Sequence, residues 1–244
     1  MEVIKFDETE FKEKVIPKYF TSGEQADLYL YIDDNKEMVL KIYREELLKE
    51  KIRKIKDSNL KVDEHMMIRP EKLISINNTI VGYSSKFQFD YTSISNLKLD
   101  NLEKLNILMR VKDIFIKLLY QGIYFYDING QNIMYNGKNI LLCDVPDAYL
   151  FSKDNDSSLN SLAYRSFNIF TISYLNNISI DMVEKETKEL LYKWSNLKDY
   201  EDLVGVTDNN MCINICYDLF YGKNDNNELL INYLDKEKMK KKMI

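Results

Sequence analysis

The chain has 244 residues and a formal net charge of −5, with 45% hydrophobic and 30% charged residues. That is ordinary globular composition, enough for one large domain or two small lobes. An acidic balance with no long basic stretch before the last ten residues argues against an electrostatic nucleic-acid binder, and no apolar run reaches the length of a membrane span. Three cysteines, Cys143, Cys212 and Cys216, make neither a disulfide framework nor a zinc signature, and a single histidine, His65, cannot build a multi-histidine metal site. The N-terminus shows no basic region followed by an apolar core, so a cytoplasmic location is expected.

Residues 15–20, 27–32 and 38–43 alternate or run apolar and read as three antiparallel strands. The first turn between them contains Ser22, Gly23, Glu24 and Gln25. The third strand, Met38-Val39-Leu40-Lys41-Ile42-Tyr43, sets one lysine inside an apolar run. Such a lysine is costly to bury unless it is paired; on an edge strand its head would simply sit in water. Residues 44–60 place apolar side chains at 47, 48, 52, 55 and 60, an amphipathic helix with a charged outer face. Strands at 71–76 and 79–87, on either side of Asn77 and Asn78, complete a five-stranded antiparallel sheet, and residues 86–90 lead out of it.

Beyond Tyr91 the period moves toward 3.6. Residues 102–121 form a long, mostly buried helix that stops at Gly122. Residues 148–161 are polar and read as an exposed loop. Further helices are expected at 162–175, 180–197, 211–220 and 228–241, the second capped by Asp181 and carrying Trp194. The closing lysine-rich stretch reads as a solvated helix end.

Residues 124–147, YFYDINGQNIMYNGKNILLCDVPD, carry the chemistry. Two short apolar runs flank Asn136-Gly137-Lys138, a tight-hairpin signal because both central residues of such a turn need φ > 0. Asp127 and Asn132 lie in the loop before the first run, and Asp144 ends the second, with Asp147 just beyond. A hairpin of this kind brings Asn132 close to Asp144. A carboxylate beside an amide oxygen is a hard-oxygen site suited to Mg²⁺ carrying phosphates.

That arrangement resembles the catalytic loop and metal-binding strand of the protein-kinase superfamily, whose H-R-D-x-x-x-x-N and D-F-G motifs match in type and spacing at Asp127, Asn132 and Asp144. Phe125 and Tyr126 replace the His and Arg, and Pro146 stands where the motif has glycine. The DINGQN loop is also similar to those of aminoglycoside-phosphotransferase-like and compact bacterial kinases. The resemblance covers roughly residues 15–175. It implies an α+β, bilobal fold with an N-lobe over 1–89, a five-stranded antiparallel sheet and one helix, and a helical C-lobe over 90–244. It further implies ATP with Mg²⁺ or Mn²⁺ as cofactors. In the nucleotide site it puts the single retained glycine Gly23, then Leu28, Val39, the phosphate-binding Lys41, and Phe87 and Phe89 of the hinge. Glu50, or Glu46 one turn earlier, would pair with Lys41. Asp127 would orient the acceptor hydroxyl, and Asn132 and Asp144 would hold metal. The loop at 148–161 would replace the activation segment.

Three functions are compatible with these residues. One is a compact Ser/Thr kinase acting on a protein hydroxyl. Another is a small-molecule phosphotransferase of the aminoglycoside or choline kinase type. The third is a nucleotide-binding pseudokinase serving as a binding module.

Overall fold

The computed structural model describes residues 1–182, apart from 24, 46, 48, 62–63, 145–146, 153–156 and 178–179, together with Ile213. In chain order the elements are β1 (Val3–Phe6), α1 (Glu8–Lys14), β2 (Tyr19–Ser22), β3 (Ala26–Asp33), β4 (Lys36–Tyr43), α2 (Lys49–Lys61), β5 (Pro70–Ile76), β6 (Thr79–Lys86), β7 (Thr92–Ser93), α3 (Asn101–Tyr120), β8 (Ile123–Phe125), β9 (Ile133–Tyr135), β10 (Ile140–Leu142), β11 (Tyr149–Phe151) and α4 (Ser157–Asn176). The class is α+β, as expected, with four α-helices among the described residues. The chain divides into two compact units, and the division is not a single cut near residue 89. One unit comprises Met1–Leu97 with Gln131–Ala148; the other comprises Lys98–Gly130 with Tyr149–Ile244.

The first unit is built on a six-stranded sheet in the order β1-β5-β6-β4-β3-β2. The expected sheet of five antiparallel strands is corrected here: β1 adds a sixth strand, parallel to β5, with Val3 opposite Leu73 and Phe6 opposite Ile76. The first expected strand also starts later, because residues 16–18 form a 3₁₀ turn with Pro17 near its start, and proline has no amide to give a ladder. The β3–β4 and β5–β6 hairpins close through two-residue turns. Asp34 and Asn35 (φ 46° and 63°), and Asn77 and Asn78 (φ 48° and 66°), are all left-handed, the conformation whose twist matches paired strands.

Strand alternation gives this sheet two different faces. Met38 and Leu40 of β4 pack with Phe6, Phe11, Val15 and Ile74 in an apolar layer under α1. The charged caps of α1 suit this placement, since Asp7 accepts the Glu10 amide at 2.7 Å and leaves Phe11 facing inward. On the opposite face, Tyr43, Ala26, Leu73 and Tyr83 pack with Ile55 of α2. A second small sheet, β10-β9-β7, belongs to the same unit. Its β9–β10 hairpin is present as expected, with Tyr135 opposite Ile140 and Ile133 opposite Leu142. The turn differs in type. Residues 136–139 form a four-residue loop in which only Gly137 has positive φ. The Asn136 side chain accepts the amides of Lys138 and Asn139 at 3.0 and 2.6 Å, so an Asx bond does what a second left-handed residue would have done.

In the second unit α3 opens with a capping box. Asp100 and Glu103 exchange side-chain bonds with each other's amides at 2.8 and 3.0 Å, a device worth about 1 kcal/mol. The helix ends as expected at Gly122, whose φ is +70° and whose Cα faces the Ser152 carbonyl too closely for any side chain. The expected loop over 148–161 is corrected. Residues 149–151 form β11, antiparallel to β8, with Tyr149 opposite Phe125. Their rings stack at 4.3 Å between centroids, and α4 already begins at Ser157. Phe115 of α3 meets Phe167 and Tyr164 of α4 at 4.9 and 5.6 Å, forming the unit's aromatic core. The helix expected at 228–241, that at 211–220 apart from the helical, buried Ile213, most of that at 180–197, Cys212, Cys216 and Trp194 lie outside the described residues; residues 180–182 form a 3₁₀ turn. No helix among the described residues is long and apolar enough to cross a membrane.

Candidate functional site

The charged groups of the first unit converge on one face of its sheet. Lys41 lies in β4, an interior strand, opposite Leu28 of β3 and Tyr83 of β6. It is therefore not an edge lysine with its head in water. Only 15% of its side chain is exposed, and its ammonium pairs with Asp144 and, at 2.7 Å, with Asp147 Oδ2. Both carboxylates stand just past β10, so the hairpin that ends at Leu142 delivers them to the strand lysine. The Tyr43 hydroxyl donates to the same Asp147 oxygen. Lys51 of α2 pairs with the other, Oδ1. Both ammoniums lie over the Tyr43 ring, 5.3 and 5.1 Å from its centroid, a distance at which the ring's negative face adds a modest attraction.

Electrostatics in this cluster follow from burial and neighbours. Burial opposes the charged form of Lys41, but Tyr83 and the Asp144 carboxylate outweigh it, and its pKa lies above the usual lysine value. Lys51 goes the other way: burial first, then the positive charge of Lys41, bring it down to about 8. Burial pushes the Tyr43 and Tyr83 hydroxyls well above the ordinary tyrosine value, so both stay neutral donors. The Cys143 thiol is likewise pushed up to about 12 by burial and then by Asp144, which favours its protonated form.

Two backbone features hold the arrangement. Asp144 is left-handed, with φ 65°, a conformation tolerated by Asp and found disproportionately at functional positions. Gly82 of β6 passes so close to β4 that a Cβ there would sit 1.9 Å from the Lys41 carbonyl oxygen. Only glycine permits that approach.

Of the residues expected from sequence, Lys41 and Asp144 are in direct contact. Asn132 is buried and its carbonyl accepts the Cys143 amide at 2.9 Å, which sets it beside the residue preceding Asp144. Leu28 and Val39 share the Lys41 face of the sheet. Gly23 is in an exposed turn, but its amide donates to the Ala26 carbonyl at 2.8 Å and is committed inside that turn. A side chain at position 23 would meet only ordinary contact, so the turn itself does not require glycine. Phe87 meets Phe89 and Phe20 edge to face, at 6.3 and 6.2 Å between ring centroids. Phe89 is 80% exposed, and the Phe87 amide is taken by the Glu37 carbonyl at 3.0 Å.

The structure does not bring Glu50 to Lys41. It is exposed in the first turn of α2, because the inward stripe of that helix is set by Ile52 and Ile55, and the carboxylates on Lys41 come from the hairpin instead. Glu46, the alternative, lies outside the described residues, as does Pro146. Asp127 belongs to the second unit, exposed, with the Asn129 amide group 3.4 Å from its carboxylate.

Asp147, Lys51, Tyr43 and Tyr83 were given no role by the sequence reading. Lys51 had a visible signal: it precedes Ile55 by four residues and so shares its helix face. Asp147 had only its nearness to Asp144.

As a metal site the donors are chemically apt for Mg²⁺. That ion takes one or two carboxylates and completes its shell with water and substrate phosphates, and Asp144, Asp147 and Asn132 are hard-oxygen groups in one unit. Among the described residues no group of three or more His, Cys, Asp or Glu side chains is assembled to hold a metal by itself. No protein-family model and no curated protein matches the chain, so the meaning of this cluster rests on its own chemistry.

Proposed function

We propose that the chain binds ATP with Mg²⁺ or Mn²⁺ and transfers the terminal phosphoryl group to a protein hydroxyl, as a compact Ser/Thr-type kinase without a standard activation segment. The observation that carries this reading is the contact of Lys41, a lysine in an interior strand, with Asp144 at the end of the hairpin. In this reading Lys41 binds the α- and β-phosphates. Asp144 and Asn132 offer oxygens to the metal, which when bound neutralises phosphate charge. The kinase motif that the loop resembles gives Asp127 the role of accepting the proton of the acceptor hydroxyl. The hydroxyl oxygen bonds to the γ-phosphorus as the bond from that phosphorus to the β–γ bridging oxygen breaks, and ADP leaves.

A second reading, a nucleotide-binding module without transfer, draws on the turn at Gly23 and the strand end at Phe87, whose amides are already hydrogen-bonded within the protein. The two are separated by incubating wild type and Asp144→Ala with γ-labelled ATP and Mg²⁺. Label on protein that vanishes in the variant supports the kinase. Label only on an added aminoglycoside or choline moves the acceptor to a small molecule. A nucleotide-induced thermal shift without any transfer favours the module, and no shift at all removes the ATP site.

A further inference from the structure

Next to the exposed Glu50, α2 carries a lysine that turns the other way. Lys51 is three-quarters buried and its ammonium meets Oδ1 of Asp147, while Lys41 holds Oδ2. One carboxylate therefore carries two ammoniums, both stacked over the Tyr43 ring.

A structural tie between α2 and the hairpin would need one cation for that carboxylate. Bringing a second ammonium to the same place adds like-charge repulsion where water is scarce, and repulsion of this kind grows as the effective dielectric falls. Two ammoniums against Asp144 and Asp147 make a formally neutral cluster, but only while both carboxylates serve the lysines. If the carboxylates are drawn to a divalent cation, two neighbouring ammoniums are left needing an anion with several oxygens. A polyphosphate chain meets that need, since lysine binds phosphate as a point charge with three donors. We propose that Lys51 is a second phosphate-contacting residue of this site and acts with Lys41 to grip the polyphosphate of a nucleotide. The proposal rests on the nucleotide reading above. It adds a binding residue from α2, from the helix in which a carboxylate had been expected to serve Lys41.

The test is calorimetric titration of wild type, Lys51→Met and Lys51→Arg with ATP and with AMP in the presence of Mg²⁺, beside thermal melts of each protein. Lys51→Met is expected to weaken ATP binding by about tenfold or more, the worth of one hydrogen bond to a charged group. AMP affinity should hardly change, and Lys51→Arg should stay near wild type. Should Lys51→Met fail to fold, the ATP-to-AMP affinity ratio of Lys51→Gln reads the same quantity. Unchanged ATP affinity in the methionine or glutamine variant overturns the proposal. So does an equal loss for ATP and AMP that arginine does not restore, which would mark a packing role. If wild type binds neither nucleotide, the nucleotide reading fails first; if wild type binds ATP and the variant matches it, only the Lys51 assignment fails.

Discussion

The two faces of the six-stranded sheet are made by the same strands and do different work. Leu40 and Lys41 are neighbours in β4, yet one is fully buried among Met38, Phe6, Phe11 and Ile74, and the other meets two carboxylates, a second lysine and two tyrosines on the opposite side. The α1 face closes mainly with apolar contacts, each large side chain contributing about 1.5–3 kcal/mol on burial, and carries the Lys72–Asp33 ion pair as well. The α2 face has an apolar floor of Ala26, Leu73 and Ile55 and a charged cluster at its rim. A strand can thus hold a costly lysine in place because its other side is anchored by residues with nothing to do but pack. Packing and charge are separated by a single step along the chain.

The largest expected effect lies on the charged face. Lys41→Met removes the ammonium on both carboxylates, and phosphoryl transfer should drop by about a thousandfold, the scale of losing a positioned charge at a transferring group. Denaturant unfolding of the same variant should show a much smaller change than transfer does. A variant that loses activity only in proportion to its folded fraction would undo the division between faces.

Leu40→Ala should do the converse. It leaves a cavity in the apolar face and should cost about 2–5 kcal/mol in urea unfolding, while nucleotide affinity per folded molecule stays near wild type. Gly82→Ala lies between the two. Its Cβ collides with the Lys41 carbonyl, so it should destabilise by about 1–3 kcal/mol, as overpacking does, and also weaken nucleotide binding by displacing β4. Binding and unfolding measured together on these variants would sharpen the comparison.

A further effect is one of pH. Lys51 sits at about 8 in the folded chain against an ordinary 10.5. Between those values the unfolded chain binds the extra proton, so the stability carried by this group rises with pH across that window and is flat below it. Melting temperatures taken in steps through the window should move in favour of wild type relative to Lys51→Met. An opposite trend would mean that the Asp147 carboxylate holds the ammonium charged.

Much of the first unit was legible because its strands alternate cleanly and its turns carry Asp34-Asn35 and Asn77-Asn78. The β9–β10 hairpin was legible from Asn136-Gly137, but the meeting of Lys41 with Asp144 was not, because the sequence offered a glutamate of α2 as the lysine's partner. β1 was not legible, since four residues at the N-terminus give no sign of the parallel partner they will choose. β8 and β11 were missed for a related reason: three-residue strands such as Ile123–Phe125 and Tyr149–Phe151 have no period to detect, and their pairing is fixed by the stacked rings of Phe125 and Tyr149. Glu50 illustrates a third limit. In a run as charged as residues 49–56, type alone favours the carboxylate for a lysine partner. The helix face is decided by Ile52 and Ile55, and that face carries Lys51.

The central claim, that the Lys41–Asp144 face binds a metal–nucleotide complex, is tested most directly by titrating ATP with and without Mg²⁺ into wild type, Lys41→Met and Asp144→Ala. The expected result is measurable binding by wild type that strengthens with Mg²⁺, weaker binding by Lys41→Met, and loss of the Mg²⁺ dependence in Asp144→Ala. Binding that is absent in wild type, or equal in all three proteins, would contradict it.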